Sequence, residues 1–161
     1  MRVARALLLV TDMVTDMPRA SDNFDGTLVI GRVMTPCPEA VRYDQTLAEA
    51  SQLMAQHAVR HLPVLKDGGV VGVLSDRDIA VIESLATTPP ERIRVVEAMT
   101  PVPYSVTADA SLAVVVRRMA AEKYGCVVIT DHSGREAIGI FTSTDALDLL
   151  HELLTDPNGK P

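Results

Sequence analysis

Tryptophan is missing from the sequence, and Phe, Trp and Tyr together make up 3% of it. A core must therefore come from Val, Leu, Ile, Ala and Met, and stacking platforms for nucleic-acid bases are scarce. Basic residues are in deficit: 15 Lys and Arg against 21 Asp and Glu leave a formal net charge of -6. That balance argues against a nucleic-acid backbone as the main partner, because such binders spread Lys and Arg over one face. A single bound anion needs only a local cluster of donors. The two cysteines, Cys37 and Cys126, form no CxxC pair, which leaves a zinc ribbon or redox motif without support and favours reduced thiols in a cytoplasmic protein. No apolar run approaches the length needed to cross a bilayer, so no membrane partner is expected. The run from Ala6 to Val10 is too short for the core of a signal peptide, and Asp12 and Asp16 follow it. Residues 1–31 therefore read as an N-terminal extension, whether a pendant strand, a short helix or a loose tail, with Met17 as a second initiation point.

Catalytic patterns are absent too. There is no G-x-S-x-G elbow and no G-x-x-x-x-G-K-[ST] loop, and Cys126 lies within an apolar run where a thiol is inert packing. Of the four histidines, His57 and His61 stand four apart, but the helix is expected to break between them, and no carboxylate completes a metal set. Asp76 and Asp78 read as complements of a helix dipole. No enzyme and no metal site is expected.

What is present is a duplication. The 161 residues, 47% hydrophobic and 22% charged, have the composition of a globular chain with room for one domain or two small units sharing a core. MTPCPEAVRYDQTLAEASQLMA from Met34 aligns without a gap to MTPVPYSVTADASLAVVVRRMA from Met99, an offset of 65 residues (99 − 34). Farther on, GVLSDRDI from Gly72 aligns with GIFTSTDA from Gly139, so the offset has become 67 (139 − 72). The insertion falls at a Gly-containing turn, KDGG against DHSGRE, where extra residues cost little.

Each copy predicts the same order: strand, helix, strand, strand, helix. The first helix starts at Thr46 or Ser111, hydroxyl residues suited to a cap. It buries Leu47, Ala50 and Met54 in one copy and Leu112, Val115, Val116 and Met119 in the other, at spacings of three and four. HLPVL with VVGVL, and CVVIT with AIGIF, read as strand pairs. The last helix starts at Ser75 or Thr142 and in the second copy carries Leu147, Leu150 and Leu154 on one face. Pro89 and Pro90 end the first unit. A lone unit of this size would bury too little apolar surface, whereas two packed sheet to sheet would not.

With MTP, TLAEASQLM, RHLPVLKDGGVVGVLSDRDI and YGCVVITDHSGREAIGIFTSTDAL in register, the chain resembles a tandem pair of CBS domains, the cystathionine-beta-synthase type repeat, known as a pair as a Bateman module. The resemblance covers about residues 32 to 154. It implies an α+β fold of two β-α-β-β-α repeats packed sheet to sheet with pseudo-two-fold symmetry. The divisions expected are 32–88 for the first repeat, 89–97 for a linker, 98–154 for the second repeat and 155–161 for a tail.

The function implied is that of a non-catalytic sensor, binding an adenosine-containing ligand in clefts between the repeats and passing its state to an unknown protein target or through a homodimer. AMP, ADP, ATP or S-adenosylmethionine would be a regulatory ligand and not a required cofactor. The alternative is a structural dimerisation module that binds no nucleotide. The ligand-binding residues implied are Thr35, Pro38, Ala40, Arg60, His61, Leu62, Pro63, Ser75, Arg77 and Asp78 in the first copy. Those in the second are Thr100, Pro103, Gly125, Cys126, Thr142, Thr144 and Asp145. Asp78 and Asp145 would accept from ribose hydroxyls, Ser75 and Thr142 would meet ribose or phosphate, and the segments at Pro38 to Ala40 and Arg60 to Leu62 would face adenine. The second copy departs from the pattern with Val128 for Pro63 and Thr144 for Arg77. Physically, a helix N-terminus offers free N–H groups and a positive dipole end to an anion, and a carboxylate can accept two hydroxyl bonds. The same Ser/Thr-x-x-Asp pattern is also a plain helix cap.

Overall fold

A computed structural model describes residues 28–36 and 38–155. The readings made for residues 1–27, for Cys37 and for residues 156–161 lie outside that range. The first repeat runs β2 (Val41–Arg42), α1 (Leu47–His57), β3 (His61–Lys66), β4 (Gly69–Ser75) and α2 (Asp76–Leu85). The second runs β6 (Ser105–Thr107), α3 (Leu112–Glu122), β7 (Cys126–Thr130), β8 (Ala137–Thr142) and α4 (Ser143–Leu154). The expected order of elements is thus present in both copies. Two further short strands, β1 (Thr35–Pro36) and β5 (Thr100–Pro101), open the two repeats.

Local chemistry accounts for the helix boundaries. Thr46 caps α1 by accepting from Glu49 N–H, while the Glu49 carboxylate accepts from Thr46 N–H at 2.7 Å, a closed capping box. Ser111 holds the same position before α3 without a side-chain capping bond, and the residue three positions on is Val114, so no acid closes a box. α2 ends before the proline pair, which opens a single 3-10 turn at Pro90–Arg92.

The sheets exchange their edges. One has the order β2-β3-β4-β5 and the other β1-β8-β7-β6. Thr35–Pro36, at the start of the first repeat, pairs antiparallel with Ile140 and Gly139 of the second. Thr100–Pro101 pairs with Val73 and Gly72 of the first. The physical reason is a sulfur seat. A Cβ on Gly139 would collide with the Met34 side chain, and one on Gly72 would collide with Met99 Sδ and the Thr100 carbonyl. The glycine of each Gly-h-h-Ser/Thr pattern is therefore a socket for the methionine at the start of the other repeat.

Two cores result. The first gathers Val41, Leu47, Met54, Leu62, Leu74 and Ile79 with Ile93 and Val95 of the linker. The second gathers Val115, Met119, Val127, Ile129 and Phe141 with Ile30 from the segment before β1. Leu112 and Val116, expected in the core, are only half-buried, because the helix face they occupy borders an open groove.

Candidate functional site at the helix N-termini

The two Ser/Thr-x-x-Asp patterns form the same device at the ends of β4 and β8. Ser75 is in extended geometry, its Oγ accepts from Asp78 N–H at 3.2 Å, and Asp78 Oδ2 accepts from Ser75 N–H at 2.8 Å and from Ser75 Oγ at 2.6 Å. Thr142 and Asp145 repeat this, with Oδ2 accepting from Thr142 N–H at 2.6 Å and from Oγ1 at 2.8 Å. Each aspartate uses a single carboxylate oxygen for the cap, and both side chains are only part-buried. The capping role is thus real at both places. It leaves the second oxygen of each carboxylate without a hydrogen bond among the described residues, directed from a helix N-terminus where negative charge is favoured.

The start of the partner strand lies beside each cap. Asp76 N–H donates to the Arg60 carbonyl at 3.1 Å, and Ser143 N–H donates to the Gly125 carbonyl at 2.9 Å. The two ends meet across the repeats: a Cβ on Gly125 would stand 3.2 Å from His61 Nε2. The Asp78 charge is also felt by Cys126. Arg60, His61, Ser75 and Asp78 of one repeat therefore share a neighbourhood with Gly125 and Cys126 of the other.

Burial, with a smaller push from Asp78, raises the Cys126 thiol to about 12, so it is a neutral wall and not a nucleophile. Burial also lowers the His61 pKa, outweighing the opposing pull of Asp76, so the ring is a neutral donor–acceptor near pH 7. Burial works against the charge of Asp76. The Arg60 guanidinium, 2.8 Å away, more than offsets this and keeps the carboxyl below its usual range.

The other expected residues are placed differently. Pro38 and Ala40 line a cleft of about 580 Å³ at the hairpin end of the sheets, with Leu65, Asp67 and Gly68 on one side and Asp131, Arg135 and Glu136 of the second repeat on the other. Its lining includes neither Ser75 nor Asp78. Val70 N–H donates to the Arg135 carbonyl at 2.9 Å, tying the two hairpins together. Leu62 is fully buried in the first core and Pro63 is buried beside it, so the Leu62 side chain is packing. Thr35 and Thr100 are exposed on the exchanged strands, Arg77 and Thr144 are exposed on the first helical turns, and Pro103 is half-buried.

Two features were not read from the sequence. Arg60 has Gly125 as its counterpart, so the first repeat holds two exposed arginines, Arg60 and Arg77, where the second holds glycine and threonine. Tyr104 and Tyr124 stack at 5.3 Å with Arg118 over the Tyr104 ring. The alignment contained the first signal; nothing in the spacing of two tyrosines announces the second.

The CBS domain model matches residues 30–83 and again 95–152. The chain belongs to the CBS domain family. A CBS domain-containing protein of Bacillus subtilis, YhcV, is 35% identical over 73 residues, a match that takes in 45% of this chain and 52% of that one. The match therefore spans about half the length of that curated relative. Among solved structures, CBSX2 in complex with AMP is 26% identical with a TM-score of 0.67, covering 78% of this chain and 97% of that one; CBSX2 comes from Arabidopsis thaliana. The CBS domain pair of MJ0100, in complex with 5'-methylthioadenosine and S-adenosyl-L-methionine, superposes with a TM-score of 0.69 at 22% identity, covering 76% and 99%. CBS domain pairs are generally regulatory, non-catalytic modules. No described helix is long and apolar enough to cross a membrane, and no metal-binding cluster occurs among the described residues.

Proposed function

We propose that this CBS pair is a regulatory module that binds an adenosine-containing ligand beside the Ser75–Asp78 cap and passes the bound state to a partner protein or a second copy. The observation that carries this reading is the pair of caps whose aspartates keep one carboxylate oxygen open, next to a strand end of the opposite repeat. Vicinal ribose hydroxyls match an acceptor-only oxygen, and Arg60 and Arg77 supply donors for a phosphate. A ligand held between two repeats shifts a conformational balance by its difference in affinity for the two arrangements. The AMP bound to CBSX2 and the adenosine compounds bound to MJ0100 support the ligand class.

Asp78→Ala would remove the cap together with the ribose acceptor, so the test uses surface charges. Calorimetry with AMP, ADP, ATP and S-adenosylmethionine is expected to show binding. Arg60→Ala with Arg77→Ala is expected to weaken AMP about tenfold, ~1.4 kcal/mol, with thermal stability unchanged. Heat from none of the four compounds would leave the non-nucleotide interaction module as the function.

A further inference from the structure

The two repeats place different chemistry at one register position. In the first, His61 lies directly across from Ser75 in the β3–β4 pair, so the imidazole stands on the same face of the sheet as the capping hydroxyl. In the second, the residue across from Thr142 is Cys126. Cys126 is buried and keeps its proton, whereas His61 is half-buried and titratable. Neither ring nitrogen of His61 is engaged in a hydrogen bond among the described residues. Across the repeats stands Gly125, where a Cβ would come within 3.2 Å of Nε2.

Charged groups surround the ring. Arg60 precedes it on β3, Asp76, Arg77 and Asp78 stand on the first turn of α2, and β7 of the other repeat presents Gly125 and the neutral Cys126 thiol. Burial opposes a proton on the ring most strongly; Arg60 and Arg77 oppose it too, and Asp76 and Asp78 favour it. The ring without ligand is therefore neutral near pH 7. The two aspartates are already engaged, Asp76 by the Arg60 guanidinium and Asp78 by the Ser75 cap. An anion entering beside the cap alters this balance, because its charge offsets the two arginines and attracts a proton to the ring directly. The imidazolium so formed donates from either nitrogen, and its bond to a phosphate oxygen is charge-assisted. A thiol at the same register has no such response, since it gains charge only by losing a proton.

We infer that His61 sets the charge preference of the cleft beside the Ser75–Asp78 cap: it takes up a proton as a phosphate enters, so that the cleft selects a phosphorylated adenosine ligand over uncharged adenosine. The inference rests on the ligand reading above and adds the proton as a second ligand of the same cleft. By linkage, affinity for the phosphate rises as pH falls toward the titration of the ring. A phosphate monoester has its second pKa at about 6, so above pH 6.5 the ligand is mostly dianionic and the protein supplies the pH dependence.

The test is calorimetry of AMP and of adenosine with the full chain at pH 7 in HEPES and in Tris, whose ionisation heats differ. AMP is expected to bring about half a proton per ligand into the complex, and its affinity to rise roughly fivefold from pH 8 to 6.5. Adenosine is expected to bind more weakly, with no uptake and no pH dependence. AMP binding whose heat is the same in both buffers would overturn the inference and leave the ligand reading standing, as would adenosine binding as tightly as AMP; heat from neither compound would overturn both. His61→Gln is expected to abolish the uptake, and an equal uptake in that variant would remove His61 as its source. The wild-type chain gives a reading that needs no substitution: by 15N NMR at pH 7, the His61 ring nitrogens are expected to move to imidazolium shifts with saturating AMP. Unmoved shifts in an AMP-saturated sample would overturn the inference as well.

Discussion

The two repeats share a plan and differ most tellingly at two places. Both keep the Ser/Thr-x-x-Asp cap, the glycine socket and the buried methionine of the first helix. They part where Ile79 faces Ala146, and where Arg60, Asp76 and Arg77 face Gly125, Ser143 and Thr144. The conserved set is what the fold needs: helix starts need capped N–H groups, and exchanged strands need sockets. The divergent set lies where neither helix formation nor strand exchange constrains the side chain. Charge has collected at one helix N-terminus, where Arg60, Asp76 and Arg77 stand, and side-chain volume is smaller behind the other, where Ala146 takes the place of Ile79.

The sharpest way to break that difference is to truncate Ile79, which is buried in the first core where the second repeat has Ala146. Ile79→Ala should cost about 2–5 kcal/mol, the usual range for truncating a buried aliphatic side chain. Chemical denaturation of the full chain measures this.

A smaller effect separates the two sockets. Gly72→Ala should destabilise by roughly 1–3 kcal/mol, because the new methyl meets the Thr100 carbonyl of the exchanged strand as well as Met99. Gly139→Ala should cost less, since it meets only the side chain of Met34, which has rotamers to yield. Equal shifts in the denaturation midpoint would mean that both sockets rest on the methionine alone.

The mildest test is acid. Because burial lowers the folded pKa of His61, the unfolded chain binds the extra proton first. The stability tied to the neutral ring is therefore complete above about 6.5 and declines as pH falls below it. Asp76 and Asp78 temper the loss, and Arg60 and Arg77 add to it. His61→Gln should flatten the dependence of the melting temperature on pH between pH 7 and 5, and an unaltered slope would remove His61 as its source.

Much of the fold was legible because its signals are local. Spacings of three and four marked α1 and α3, and Thr46, read as a cap, does cap α1, with Glu49 closing the box. The candidate site was legible in part. Ser75, Asp78, Thr142 and Asp145 were chosen as ligand groups, and the structure gives each pair a capping role that any ligand must share. His61 beside Gly125 could not be read, since the residues meet only when the repeats pack. Nor could the separate cleft at Pro38 and Ala40, whose far wall is a hairpin of the other repeat. Leu62 was named as part of a ligand-facing segment, and its side chain lies in the first core because Leu62, Pro63 and Val64 are buried in succession along β3, a pattern without the alternation that marks one face.

The sequence by itself determined the duplication, the order of elements and the caps, because each depends on residues a few positions apart whose bonds form within a turn. Tertiary structure alone decided that Thr35–Pro36 and Thr100–Pro101 join the opposite sheets. That choice depends on Met34 finding Gly139 and Met99 finding Gly72, and no local spacing records which methionine fits which socket.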